Sequence, residues 1–169
     1  MTRVIIHCGN GRGKTSSAIG IALRSLSHGK KVFIAQFFKP KTDAALLFLQ
    51  KDNPENLCIR NYGKWYFADK PDAEAASVYK HAIDEIRELI NENGCDTVIL
   101  DEIFYTVQFG LLGVEAITDL IAQYDNKCFV LTGRNAPPQL LEMADTVSCI
   151  ECVKHGFDSG IKAQSGVEF

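Results

Sequence analysis

Long apolar runs are missing from this 169-residue sequence, and none approaches the ~20 residues that a membrane-spanning helix needs. A secretory signal pattern is missing too, because MTRVIIHC passes straight into a strand-like run. There is no basic excess: 18 Lys and Arg stand against 21 Asp and Glu, a net charge of −3, which argues against a general nucleic-acid binder. Cys149 and Cys152 make one C-x-x-C, but no second pair completes a zinc site. The remaining cysteines are scattered, as are the four histidines, which form neither an H-x-x-H pair nor a triad pattern. These absences predict a cytoplasmic protein with free thiols and neither a membrane nor a nucleic-acid partner.

What is present is ordinary globular composition, with 46% hydrophobic and 23% charged residues, in a length that suits a single domain over 1–169. Short β-type runs alternate with longer helical ones. Strands are expected at RVIIHC, KKVFIAQFF, NLCIRNY, CDTVILDEIF, KCFVLTG and TVSCIECV, the last carrying its C-x-x-C thiols inside the core. Helices are expected after the first glycine cluster, within DAALLFLQK, along PDAEAASVYKHAIDEIRELINENG, and in GVEAITDLIAQYD and PPQLLEMAD. The tail HGFDSGIKAQSGVEF reads as loop with an edge strand. Such alternation implies an α/β fold: one P-loop (RecA-like) domain, with a mostly parallel sheet and helices on both faces.

Between the first strand and its helix stands CGNGRGKTSS. It resembles the phosphate-cradling loop G-x-x-x-x-G-K-[ST], but Cys8 occupies the place of the first glycine. The nearest glycine is Gly9, so the loop is one residue short. Gly9, Gly11 and Gly13 let backbone N–H groups approach phosphate, and Asn10, Arg12 and Ser16 complete the turn. The next helix aims its positive dipole end at the same place. Lys14 adds a full charge, and Thr15 supplies a hydroxyl for Mg²⁺. Downstream, TVILDEI is an apolar strand ending in Asp101-Glu102, the form that holds a nucleotide-bound metal directly or through water. Together these point to a nucleoside triphosphate with Mg²⁺ (or Mn²⁺). Arg134, in LTGRNAPP, ends a strand at the same sheet edge. Arg24 lies ten residues beyond Lys14, on a helix face expected to be solvated. Tyr62, Trp65, Tyr66 and Phe67 are concentrated in NYGKWYFADK, either packing on the core or lining a pocket for a large flat ligand.

The segments GNGRGKTSSAIGIALRSLSHGKKV, VILDEI, LTGRNAPPQLLEMADTV and VKHGFDSGIKAQSGVEF resemble the P-loop type ATP:corrinoid adenosyltransferases. The likeness runs in order from Val4 to Phe169 and is loose only between about Pro40 and Asp69. It implies that the 5′-deoxyadenosyl group of ATP moves to a Co(I) corrinoid as triphosphate leaves, with ATP lying in the short loop in reversed polarity. By resemblance, Gly9 to Thr15 form the nucleotide loop, Arg24, Glu102 and Arg134 serve the nucleotide or its metal, and Glu102 is the metal carboxylate with Asp101 close behind. Lys14, Thr15 and Glu102 are then the catalytic residues. A reductase or flavoprotein supplying Co(I), and a homodimer, are implied in the same way.

Two departures are visible. The family's corrinoid loop often reads Phe-x-Trp; here Trp65 matches the Trp, while Gly63, flanked by Tyr62, stands at the Phe position. If stacking there displaces the lower axial ligand of cobalt, Tyr62, Tyr66 or Phe67 must substitute. Some members also carry an N-terminal helical extension that closes the site, whereas this sequence begins at its first strand, so closure is expected from another element such as a partner subunit. Two other functions share the same core: a kinase resembling thymidine kinase, which usually adds a four-cysteine zinc ribbon, and a non-catalytic ATP-binding corrinoid carrier.

Overall fold

The computed structural model describes residues 1–63 and 73–167. Six strands, β1 (Arg3–Cys8), β2 (Val32–Phe37), β3 (Leu57–Tyr62), β4 (Thr97–Asp101), β5 (Cys128–Thr132) and β6 (Thr146–Cys149), form one sheet in the order β3-β2-β4-β5-β1-β6. Every pairing is parallel. The central strands are apolar on both faces, as a doubly covered parallel sheet requires: all six residues of β2 and all five of β4 are buried.

Helices α1 (Lys14–Ser27) and α2 (Ala44–Asp52) cover one face, where Ala18, Ala22, Leu26 and Leu46 meet Val32, Ile34, Ile99 and Val130. Small residues on α1 let its axis lie close to the sheet. The other face is covered by α3 (Ala73–Asn93), α4 (Phe104–Gln108), α5 (Val114–Ala122) and α6 (Pro138–Met143), which bury Tyr79, Ile83, Ile86, Ile90, Phe104, Ile117, Leu120 and Leu140. The spacing of Tyr79, Ile83, Ile86 and Ile90 is the helical stripe legible in the sequence. Gly29, at φ 69°, ends α1 by donating its N–H to the Leu26 carbonyl at 2.9 Å.

Four expectations are corrected. The run after Asp101 does not continue as strand: Glu102 turns into the left-handed region and the chain enters α4. β6 stops at Cys149, and as an edge strand it leaves all four of its residues exposed. The thiols of Cys149 and Cys152 are therefore exposed rather than buried. The tail makes a 3₁₀ turn at Gly156–Ser159, and no strand occurs in it among the described residues.

Candidate functional site

The carboxyl ends of β1, β2, β4 and β5 open into a cleft of about 630 Å³, within the ordinary range for small-molecule sites. Gly11, Arg12, Gly13, Lys14, Thr15 and Ser16 line one side of it. Lys39, Asp43, Ala44 and Ala45 line another, and Ile19, Glu102, Arg134, Gly166 and Val167 complete it.

The glycine loop is held by backbone. Ile150 donates its N–H to the Cys8 carbonyl at 2.8 Å, and its own carbonyl accepts from Gly11 N–H at 2.7 Å. A Cβ at Gly9 would stand 2.3 Å from the Ile150 carbonyl oxygen, and one at Gly11 would stand 2.7 Å from Glu151 backbone atoms. Only glycine permits this approach. Gly13 differs: its φ of 109° ends the loop, but a Cβ there would meet no heavy atom within 4 Å. Gly13 caps α1 without a side-chain hydrogen bond, and the first turn holds no acid. Since Ser17 is the first to close on the Gly13 carbonyl, at 2.8 Å, the N–H groups before it are left for an anion at the positive end of the helix. Lys14 is buried, with Nζ 2.9 Å from the Gly11 carbonyl, so its charge is kept within the loop. Arg12 donates to the Val167 carbonyl at 2.9 Å and ties the tail to the loop.

Opposite stands a buried network centred on Asp101. Its Oδ1 accepts from the hydroxyls of Thr15 at 2.8 Å and Thr132 at 2.7 Å; its Oδ2 accepts from Gln36 at 3.2 Å and from the Lys39 ammonium at 2.8 Å. Burial alone would raise the Asp101 pKa. The Lys39 charge and the hydrogen bonds from Lys39, Thr132 and Thr15 together outweigh it and hold the carboxyl below its ordinary value. Glu102 is set differently. Its φ is 61°, an uncommon state for a residue with a Cβ, and its N–H donates to Thr132 Oγ1 at 3.0 Å. Its Oε2 is buried and accepts no hydrogen bond from the described residues. Burial, followed by the nearby Asp101 charge, raises its pKa, against the opposing pull of Lys14, Lys39 and Arg134. Asp101 is a saturated acceptor and Glu102 an unsatisfied one. Together with the Thr15 hydroxyl, this donor set suits a hard cation such as Mg²⁺.

A model of the family described as ATP:corrinoid adenosyltransferase BtuR/CobO/CobP matches residues 1–169. The chain belongs to this family. Among its relatives, the corrinoid adenosyltransferase of Pseudomonas aeruginosa is 35% identical over 98% of the chain and 83% of its own length. That of Escherichia coli K12 is 34% identical over 98% and 85%. The corrinoid adenosyltransferase CobA of Salmonella typhimurium is 32% identical over the same shares.

Of the residues anticipated for the family's chemistry, Gly11 to Ser16, Glu102 and Arg134 line the cleft and Asp101 sits directly behind it. Gly9 and Asn10 lead into the loop. Arg24 does not join them: it lies exposed in the last turn of α1. Tyr62 is in the core at the end of β3, 6% exposed, its ring 5.5 Å from that of Phe37. Trp65, Tyr66 and Phe67 lie outside the described residues. Three elements went unread in the sequence. Lys39, one lysine among several, carried no motif to mark it. Ile150 and Glu151 act through backbone, which side-chain identity does not advertise. A third is an aromatic cluster in which Phe38 packs on Tyr79, Tyr105 and Phe109, with ring centroids 5.1, 5.9 and 5.8 Å away. Its members come from three separate segments, and only the fold gathers them.

Proposed function

We propose that this protein transfers the 5′-deoxyadenosyl group of ATP to the Co(I) centre of a corrinoid, releasing triphosphate, in the biosynthesis or salvage of adenosylcobalamin. The observation that carries the reading is the glycine loop itself. It is one residue short, pinned to the exit of β6, and ends in a buried lysine and an uncapped helix N-terminus, in a chain of the corrinoid adenosyltransferase family.

In a displacement at the ribose C5′, the electron pair of the C5′–O bond leaves with the triphosphate while cobalt bonds to carbon. Negative charge therefore grows on the phosphate side, where Lys14, the free N–H groups of α1 and Arg134 stand. ATP in reversed polarity turns C5′ outward, towards the second substrate. Co(I) is already a strong nucleophile and asks for no general base; no histidine lines the cleft among the described residues. Mg²⁺, held by Glu102 and Thr15 with Asp101 behind, would supply further charge neutralisation on the phosphates. Asp101 meanwhile fixes the Thr15 hydroxyl, and the packed loop keeps the donors in place before the reaction begins.

The corrinoid side is assigned to the aromatic cluster beside Glu102, where Tyr105 is half-buried and Phe109 is 38% exposed. Their rings stack on each other at 5.8 Å and offer an apolar edge to a flat macrocycle. A reductase or flavoprotein supplies the Co(I) state, and the protein works in the cytoplasm as a homodimer.

The test is anaerobic: purified protein, ATP, Mg²⁺ and chemically reduced cobalamin, following the Co(I) absorbance and assaying triphosphate. Loss of the Co(I) band with a light-sensitive product and equal triphosphate is the expected result. ADP formed in the presence of a nucleoside acceptor would make the protein a kinase instead. Tight binding of both substrates without turnover would make it a carrier.

A further inference from the structure

Lys39 is the one basic side chain on the β2 side of the cleft lining among the described residues, and its position is built rather than incidental. Phe38, immediately before it, has φ 59°. For a bulky residue that is a true outlier, and such strain persists only where the surroundings enforce it. Here the Phe38 ring is buried in the aromatic cluster, its N–H donates to the Tyr62 carbonyl at 2.8 Å, and Asn61 donates to the Lys39 carbonyl at 3.3 Å. The turn so formed carries the Lys39 side chain back across the end of the sheet to Asp101.

An ammonium has three N–H donors. One of them meets Asp101 Oδ2 at 2.8 Å, and the side chain retains 27% exposure while Asp101 has 1%. The other oxygen of the same carboxylate holds Thr15 Oγ1. Lys39 Nζ and the Thr15 hydroxyl are thus separated by a single carboxylate, and Lys39 lines the same cleft as Lys14. A polyphosphate in this cleft has both cations within its lining.

We propose that Lys39 is a second phosphate-binding cation, which grips the triphosphate chain from the β2 side while Asp101 orients it. The inference rests on the adenosyl-transfer reading for the identity of the leaving group, since a departing triphosphate is more highly charged than one ammonium can match. Lys39 is then a catalytic residue, contacting the group on which charge develops, and Asp101 is its positioning residue.

The experiment is calorimetric titration of the full-length protein with inorganic tripolyphosphate in EDTA, so that no metal contributes. Lys39→Met is expected to weaken binding about 30-fold, the loss of one charge-assisted contact, and Lys39→Arg to stay within about 3-fold of wild type. A structural role for Lys39, serving only to neutralise Asp101, predicts something else: adding Asp101→Asn to Lys39→Met would restore tripolyphosphate affinity. Restoration in that double variant overturns the proposal, as does wild-type affinity in Lys39→Met or failure of the wild type to bind tripolyphosphate. Adenosyl transfer to reduced cobalamin is measured in parallel on the wild type. If tripolyphosphate binds and depends on Lys39 while no adenosyl product forms, the functional reading fails and the phosphate contact stands.

Discussion

Two neighbouring regions at one edge of the sheet are built from opposite materials. At the end of β1 the chain is nearly all backbone: glycines approach the Ile150–Glu151 segment more closely than any Cβ allows, and the polar groups are N–H donors and one buried lysine. At the end of β2 it is nearly all side chain, with Phe37, Phe38, Tyr62 and Tyr79 packed ring on ring. A phosphate needs many small donors fixed in space, which the first region provides. A large flat apolar partner needs broad rigid area, and in the proposed function the buried rings of the second region back the exposed ring of Phe109 that would meet it. The polar network of Gln36, Asp101, Thr132, Thr15 and Lys39 runs between them. If the proposed function holds, the two substrates meet different physics, and variants on either side should therefore fail differently.

The largest separation is expected from Lys14→Ala. It removes a charge from the phosphate side alone, so turnover should fall by roughly 10²–10³ or more, with ATP affinity falling too. Corrinoid binding and the thermal unfolding midpoint should stay near wild type. Equal loss of ATP and corrinoid binding, read by titrating each separately, would erase the distinction between the regions.

On the aromatic side the expected losses split between stability and function. Phe38→Ala empties a fully buried ring site and should cost about 3–5 kcal/mol in urea unfolding, and it should loosen the turn that carries Lys39. Phe109→Ala, at an exposed ring, should cost under about 1.5 kcal/mol while raising the KM for corrinoid several-fold and leaving that for ATP unchanged. If Phe109→Ala leaves corrinoid kinetics untouched, the cluster is core packing only.

Within the glycine loop the three glycines are not equivalent. Gly9→Ala forces a Cβ into the Ile150 carbonyl oxygen in addition to a φ of 100°. It should destabilise by roughly 2–3 kcal/mol and loosen the loop's hold on nucleotide. Gly13→Ala meets only the backbone cost of its φ of 109°, about 1 kcal/mol. Denaturant midpoints for the two variants, measured beside ATP affinity, give the ranking directly, and equal midpoints would mean that the β6 exit does not pin the loop.

How far these regions were legible in the sequence follows from the same contrast. Backbone cradles depend on glycine at fixed spacing, so Gly9 to Thr15 announced themselves, and the alternation of apolar runs fixed the order of strands and helices. Asp101 and Glu102 were legible as a pair, and resemblance put Glu102 ahead as the metal carboxylate, but the hydrogen-bond network that saturates Asp101 was not legible. That depends on Thr132 and Lys39, brought in from β5 and from the end of β2. The exposed β6 misled because its alternation is that of a buried strand, while its place at the sheet edge is a property of the topology. The aromatics around Tyr62 in the sequence left core packing and a ligand pocket both open, and in the fold its ring packs in the core against Phe37.

The smallest expected effect tests the boundary network. The pKa of Glu102 is raised by burial and by Asp101, so in the folded state the carboxylate is penalised at neutral pH. For such a group the penalty is fully present above the folded pKa and disappears as the pH falls below the ordinary value of 4.5. Asp101 runs the other way: its lowered pKa contributes stability above 3.8 that is lost as the pH falls further. Glu102→Gln should therefore raise the Tm at pH 7 and lose most of that gain by pH 4, while depressing Mg²⁺-dependent turnover at both. Asp101→Asn should lower the Tm at pH 7, because it takes the carboxylate from the partly buried Lys39 ammonium and from its hydroxyl donors, and the deficit should shrink below pH 3.8. A Tm gain for Glu102→Gln that persists unchanged at pH 4 would mean that the gain does not come from removing the ionised carboxylate.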